Sequence, residues 1–532
     1  MNDDKKKEIN TNVSRTQNTI KNMVYSWINS IITMILSFIS RTIFIKVLGT
    51  TYLGLNGLYT NIISVLSFTE LGIGTAMNFA LYKPVAENDE QKIKLLMKLY
   101  KNTYRIIALI ISILGLLIMP ALSYLAKDVG NVGNIYEYYL IFLVDTVISY
   151  FVSYKFSLLN ANQKNYIYTN IDMIFKIIVS IIQMISILIY KNFGIYLLTG
   201  VIIGAIEKIV LNFYLNKKYS YLTEKVDGKL SEEELKPIKK NISALIYHKL
   251  GDIAVHQTDN IIVSSFINVN TAGLISNYTL IINYINIFVG QIFNSATSSL
   301  GNLIATEKTE RQYDVFKKYN FLNFWLYGFC TISLLTLLSA FISIVWGMDK
   351  IIDDITVIMM CIDFYMIGQR LAINNIKVAG GIFKEDKLVS IFQAITNLII
   401  SIIFVNIIGL PGVYLGTIIS GIIATVIRPK IIYRKLFKIS SKEYFKKYLE
   451  YFFIVFVVGV LMYLAMKVVL KEPNIFKFII MVILDIIIPN LIFFAIFNKT
   501  EEFKYIKKIA ISIINEKVIN KVIKKKTVNN NI

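Results

Sequence analysis

Residues 23–45 read MVYSWINSIITMILSFISRTIFI, a run in which Arg41 is the only charge. At about 1.5 Å of rise per helical residue, such a run covers the ~30 Å hydrocarbon core of a bilayer. It is too long for a signal-peptide core and follows a polar, basic leader, so it is expected to stay in place as the first membrane helix. Comparable apolar runs recur at 52–82, 104–126, 135–154, 166–190, 194–215, 243–267, 273–300, 321–347, 354–376, 388–409, 411–427, 448–466 and 478–498. The chain therefore reads as an all-α polytopic membrane protein of about 14 transmembrane helices. Its 55% content of hydrophobic residues and its mean hydropathy of +0.58 exceed what a soluble domain of this length carries.

The net charge of +21 would suggest nucleic acid in a soluble protein, but here it has another origin. Most of the 56 lysines and arginines lie in the two tails and the even-numbered gaps, and only seven in the odd-numbered gaps. The positive-inside rule then assigns both termini and the even gaps to the cytoplasm, where anionic membrane lipids are the expected partners and nucleic acid is not. The odd gaps are short; the longest runs from Lys467 to Lys477. That leaves no room for a catalytic domain outside the membrane. Cys330 and Cys361 fall in separate runs and read as packing residues. Neither a Walker-type phosphate loop nor an HExxH zinc motif is present, so a transporter is expected and not an enzyme, with no metal and no cofactor beyond a coupling H⁺ or Na⁺.

An offset of 219 residues aligns two segments without a gap. Gly54-Leu55, Tyr59-Thr60 and Ile62-Ile63 fall on Gly273-Leu274, Tyr278-Thr279 and Ile281-Ile282, and Lys98 and Tyr100 fall on Lys317 and Tyr319. Both copies sit in the same phase of the topology, which predicts an N-lobe of six helices over 1–218 and a C-lobe of six over 241–440. A cytoplasmic linker (219–240), two added helices (441–498) and a basic amphipathic tail (499–532) complete the expected organisation, the tail lying on the inner leaflet.

Ionisable and amide side chains inside the runs mark the candidate site, because at bilayer depth each normally faces water or a partner. In the seventh run His248, Asp252, His256 and Asp259 recur every three to four residues and share a helical face, bordered by Lys249. In the eighth, Asn283, Asn286 and Asn294 continue a polar stripe past Gly290. Arg41 has Glu70 or an anionic ligand as possible partners, and Asp145 is a candidate for Arg41, a substrate hydroxyl or a proton. Asp172 and Lys176 are spaced as an intrahelical ion pair, while Glu207 and Lys208 read as exposed near the cytoplasmic end of the sixth run. Arg370 shares a helical face with Asp363, and Asp485, outside the repeat, is expected to contact another helix. Guanidinium and ammonium groups among carboxylates and amides suit an anionic head group carrying hydroxyls.

The segment Ser40-Arg41-Thr42-Ile43-Phe44, continuing through Leu48-Gly49 and Tyr52-Leu53-Gly54-Leu55 to Glu70-Leu71-Gly72-Ile73-Gly74-Thr75-Ala76, resembles the opening helices of Wzx-type polysaccharide flippases. These belong to the MOP superfamily, which also holds the MATE exporters. Asp259-Asn260-Ile261-Ile262, followed by Gly273 and Tyr278, looks like the start of that family's second lobe. The resemblance implies two six-helix bundles around a central cavity in a bacterial cytoplasmic membrane. It implies transport of undecaprenyl-diphosphate-linked oligosaccharide repeat units to the outer leaflet for capsule or exopolysaccharide, by alternating access coupled to an ion gradient. Arg41, Glu70, Asp145, His248, Lys249, Asn283, Asn286, Asn294 and Arg370 would line the cavity, and Asp252, His256 and Asp259 would couple the ion, His titrating near neutrality. Polymerase or assembly proteins of the same pathway are the further partners implied. A lipid II flippase and a MATE-type drug antiporter are the alternatives within the superfamily. A membrane polymerase or ligase would need larger outer loops than the chain has.

Overall fold

The computed structural model describes residues 2–70, 73–224, 226–228, 230–239, 242, 257–382, 385–508 and 511. Among these residues the chain is helical throughout, without a β-strand. The principal helices are α1 (Asn2–Leu48), α2 (Thr50–Leu66), α3 (Ile73–Glu87), α4 (Glu90–Ile118), α5 (Ile135–Ser153), α6 (Asn165–Tyr190) and α7 (Phe193–Lys218). They continue as α8 (Val269–Ser295), α9 (Thr309–Trp346), α10 (Asp354–Ala379), α11 (Lys387–Ile408), α12 (Leu410–Ile432), α13 (Lys442–Val469) and α14 (Ile475–Phe497). Twelve helical segments among the described residues are long and apolar enough to cross a membrane, and the chain is a multi-pass membrane protein.

Of the 14 expected spans, the structure corrects one, and another lies largely outside the described residues. The second predicted run is a broken helix: α2 ends at Leu66, a 3-10 turn carries Ser67–Glu70, and α3 resumes at Ile73. Glycines at 72 and 74 beside a carboxylate make this a poor place for a continuous helix. The seventh run lies mostly outside the described residues, which here begin at Gln257 and form a short helix, Thr258–Ile262.

Loop residues set the helix ends. The side chains of Asp89, Asn134, Asn192, Asp353 and Asn474 accept hydrogen bonds from backbone N–H groups in the first turns of α4, α5, α7, α10 and α14. Gly49, at φ 86°, makes the turn from α1 into α2, a conformation that favours glycine. The linker is also structured. Ser231 and Glu234 form a reciprocal capping box, and the segment is tied to α4 by Lys94–Glu224 at 2.5 Å and Lys92–Glu234 at 2.8 Å. Lys98 Nζ adds a bond to the Val226 carbonyl.

The chain divides into two compact units, one of Met1–Ser276 with Ala394–Val413, the other of Asn277–Gln393 with Tyr414–Ile532. In the first, α2 crosses α8 at a contact only glycine permits. A Cβ on Gly54 would sit 1.9 Å from the Val269 carbonyl oxygen, and one on Gly273 1.9 Å from that of Thr50. Residues 50 and 269, like 54 and 273, are related by the 219-residue offset, so the contact is reciprocal, as a local two-fold relation requires.

The repeated tyrosines each bond to backbone, the first pair in opposite senses. The buried Tyr59 hydroxyl donates to the Ile135 carbonyl at the start of α5, and the equally buried Tyr278 hydroxyl accepts from the Ile352 N–H just before α10. Tyr100 donates to the Met77 carbonyl and Tyr319 to the Phe293 carbonyl. Each pair ties a helix of its repeat to the backbone of a neighbouring segment.

In the second unit α13 and α14 are fastened to α9 by an aromatic core. Phe324 stacks on Tyr451 with ring centroids 4.0 Å apart, Phe321 meets Phe497 edge-on, and Gly328 leaves room for Phe493. Such ring pairs are worth about 0.5–1.5 kcal/mol each beyond their buried area. The Trp325 indole N–H donates to Asn490 Oδ1 at 2.8 Å, anchoring the same face.

Candidate functional site

In the first unit Arg41 lies two turns before the end of α1 and is half-buried. One of its terminal nitrogens donates to Ser276 Oγ at 2.7 Å, and Ser276 in turn donates to the Gly273 carbonyl. Tyr196 lies within electrostatic reach of Arg41 and packs edge-on against Phe44. The guanidinium is thus positioned by a hydroxyl beside the glycine crossing.

Glu70 sits in the break between α2 and α3, and its carboxylate is held by tyrosines. Tyr104 of α4 donates to Oε1 at 3.0 Å, and Tyr150 of α5 also hydrogen-bonds to it. Gly74 makes room for Tyr104, whose hydroxyl would be 3.3 Å from a Cβ there. Discontinuous helices at membrane depth commonly mark binding sites in transporters, and here a carboxylate occupies the discontinuity.

Asp145 has different company from that expected. It is exposed on α5, facing Gly204 of α7 and within electrostatic reach of Lys208. Lys208 pairs with Glu207 at 2.9 Å, and Glu207 is buried with its Oε1 lacking a hydrogen-bond partner among the described residues. On α6 Asp172 and Lys176 form the expected ion pair at 2.8 Å, and Tyr168 feels both Asp172 and Glu207. Asp145, Asp172 and Glu207 therefore put three carboxylates on α5, α6 and α7, with the ammonium groups of Lys176 and Lys208 among them.

The reading of Glu207 and Lys208 as exposed is corrected by Gly200 and Gly204. A Cβ on Gly200 would meet Gln183 of α6 at 2.6 Å, so α7 packs closely along this face. Glu207 follows Gly204 by three residues on the same face and is drawn in. A small-xxx-small pattern at 200 and 204 was the available signal.

The seventh-run stripe is represented only by Asp259, which is half-buried in the short helix beside Thr258. Thr258 approaches Asn397 at 3.4 Å. His248, Lys249, Asp252 and His256 lie outside the described residues.

In the second unit Asn283 and Asn294 are exposed and Asn286 is half-buried, with Gly290 buried between them. Exposed amides along a membrane helix are costly against lipid and suit water. Arg370 is buried, and one nitrogen donates to the Gly421 carbonyl at 3.0 Å and to Thr425 Oγ1 at 3.2 Å. A Cβ on Gly421 would lie 2.9 Å from the guanidinium, so this glycine accommodates the charge. Asp363 is within its electrostatic reach, as the shared face predicts. Arg370 thus joins α10 to α12 instead of facing an open cavity.

A second buried ionic group lies near the ends of these helices. Asp386 Oδ1 accepts from Arg428 Nε at 2.8 Å, and Oδ2 pairs with Lys377. Arg428 also reaches Ser390, so two cations and one buried carboxylate join the ends of α10, α11 and α12. Separation in sequence hid the group.

Just beyond α5, buried Lys155 donates to Asn212 and Asn216 of α7, both at 2.5 Å. Burial, reinforced by nearby Lys101, pushes its pKa down from the ordinary 10.5 to about 8. Below pH 8 the folded protein carries the full cost of the buried charge. As pH rises from 8 towards 10.5 the folded state sheds this proton before the unfolded chain does, so Lys155 becomes less destabilising. The melting temperature of the wild type relative to Lys155→Gln should therefore rise across that window; a difference independent of pH would refute the assignment.

Comparison with solved structures identifies the architecture. The chain is similar to the lipid II flippase MurJ in an inward closed conformation, with a TM-score of 0.64 and 18% identity over 89% of this chain and 98% of that one. It is similar to an inward-facing multidrug resistance MATE family transporter of the MOP superfamily, with a TM-score of 0.58 and 15% identity over 83% and 96% of the two chains. A mutant of the Vibrio cholerae MATE transporter VcmN gives a TM-score of 0.54 and 16% identity over 80% and 100%. At these identities the likeness is one of fold, and the fold is that of MOP-superfamily transporters. No protein-family model and no curated protein sequence matches the chain.

Proposed function

We propose that this protein is a flippase that carries undecaprenyl-diphosphate-linked oligosaccharide repeat units from the inner to the outer leaflet of a bacterial cytoplasmic membrane. Transport proceeds by alternating access coupled to an ion gradient, and the glycan serves a surface polysaccharide. The observation that carries the proposal is the transporter fold shared with a lipid flippase along most of the chain. Arg41 supplies a guanidinium suited to bidentate phosphate contact. The exposed asparagines of α8 and the mixed charges of α5, α6 and α7 suit a hydroxyl-rich sugar. A cationic drug would be better served by carboxylates without the paired lysines, which makes a drug antiporter the weaker reading. Asp252, His256 and Asp259 remain the proposed coupling residues. Lipid II is the second reading, favoured by the same fold similarity and sharing the diphosphate.

Native mass spectrometry of the purified protein separates these readings. Undecaprenyl-diphosphate oligosaccharide should remain bound at concentrations where undecaprenyl monophosphate and ethidium do not. Retention of ethidium alone would favour an antiporter, and selective retention of lipid II would favour the second reading.

A further inference from the structure

Asp485 is the sole carboxylate of α14 and is buried against α9. Its Oδ2 lies 2.6 Å from Thr336 Oγ1, and its Oδ1 has no hydrogen-bond partner among the described residues. Thr336 Oγ1 is also 3.1 Å from the Ile332 carbonyl and 3.2 Å from that of Ser333. A hydroxyl has one hydrogen to give. If Thr336 gives it to its own helix, as threonines in helices commonly do, the short contact with Asp485 requires a proton on the carboxyl group.

Thr336 also lines a cavity of about 280 Å³ in the second unit. Ser339 and Ser343 follow it along the cavity wall at helical spacing. The wall continues to Asp354, Lys467 and Lys471, at the end of the helices that the charge pattern assigns to the outside. There Asp354 pairs with Lys467 at 2.5 Å and accepts from the Tyr463 hydroxyl at 3.1 Å. At ~30 Å³ per water, the volume admits several. One hydrogen bond, that of Thr336, separates this cavity from Asp485.

We propose that Asp485 is a proton-binding site loaded from the outer face through this hydroxyl-lined cavity. A hydronium ion in the cavity gives a proton to Thr336 Oγ1 as the threonine's own hydrogen passes to Asp485 Oδ2, and the ion leaves as water. The resulting carboxyl O–H donates to Thr336 Oγ1, whose new hydrogen goes to the Ile332 carbonyl, and release reverses these steps. A hard metal cation would require about six oxygen ligands, whereas a carboxylate and one hydroxyl suffice for a proton.

The surrounding charges leave this role open. On α9, the titratable side chains run from Glu310 to Cys330 and lie cytoplasmic of Thr336; on α13, the charges lie at Lys442–Glu450 and at Lys467, with Tyr463 near the mouth. On α14 the other charge is Lys477, near its beginning. Coupling of this proton to flux rests on the flippase reading; proton binding does not.

Infrared spectroscopy of the protein in lipid tests the binding step directly. The wild type should show a protonated carboxyl C=O band that shifts on isotopic labelling of aspartate, fades in alkaline buffer and is missing from Asp485→Asn. Superimposable spectra for wild type and variant at every pH would overturn the proposal. So would the lack of any label-sensitive carboxyl band in the wild type, a measurement that needs no variant to fold.

Access is tested with Ser343→Cys in a chain whose Cys330 and Cys361 are replaced by alanine. A membrane-impermeant thiol reagent should modify it from the outside of oriented vesicles, and modification from the inside alone would overturn the route. For coupling, Asp485→Asn should reduce the acceleration of flux by a proton gradient severalfold, alongside the coupling assigned to Asp252, His256 and Asp259. Undiminished acceleration would overturn coupling through this site, whereas absent flux in the wild type itself would count against the flippase reading and leave the infrared result standing.

Discussion

Arg41→Ala is expected to lower the flux of lipid-linked oligosaccharide by about one to two orders of magnitude. Removing a guanidinium from an anionic ligand costs charge-assisted hydrogen bonds worth about 1.5–3 kcal/mol, and each 1.4 kcal/mol is about tenfold in an equilibrium constant. The protein should persist, because Arg41 is half-buried and its contact with Ser276 is to a neutral hydroxyl that also bonds Gly273. Arg41→Lys keeps the charge but loses the planar fork and should fall between the two. Flux measured in liposomes at matched protein density decides the matter. Wild-type rates from both variants would reassign Arg41 to packing alone.

The largest effect on stability is expected at the reciprocal glycine crossing. A methyl group at Gly54 or Gly273 would meet a backbone carbonyl oxygen at 1.9 Å, and a carbonyl within a helix cannot move aside as a side chain can. The helices would have to separate, at a cost of at least the ~1–3 kcal/mol typical of overpacking. Gly54→Ala and Gly273→Ala should each lower the melting temperature of the purified protein or remove its folded peak in size-exclusion chromatography. Both methyl groups push the same two helices apart, so the double variant should lose less than the sum of the single losses. Strict additivity would mean the two contacts yield independently.

Much of this architecture was legible in the sequence because membrane helices announce themselves by length and by where lysine falls. Of the repeated tyrosines, Tyr100 and Tyr319 both donate to a backbone carbonyl, whereas Tyr59 donates to a carbonyl and Tyr278 accepts from a backbone N–H. Less legible were features that depend on which helices meet. Glu207 looked peripheral because its depth depends on Gly200 and Gly204 admitting α6 and α5. Arg370 looked like a ligand contact, although Gly421 on a helix fifty residues later provides its seat. Asp386, Lys377 and Arg428 lie on separate elements and carried no spacing signal. The break at Glu70 was written in its flanking glycines, yet a hydropathy run passes over it because the average of the segment remains apolar.

The central claim, transport of a diphosphate-linked glycan, is tested most directly in liposomes containing the purified protein and undecaprenyl-diphosphate oligosaccharide. The rate at which the sugar becomes accessible at the opposite leaflet is measured with and without an imposed proton or Na⁺ gradient. Protein-dependent appearance that accelerates under one of the gradients is the predicted result and names the coupling ion. Appearance no faster than in protein-free liposomes, with folded protein and several glycans tried, would contradict the account.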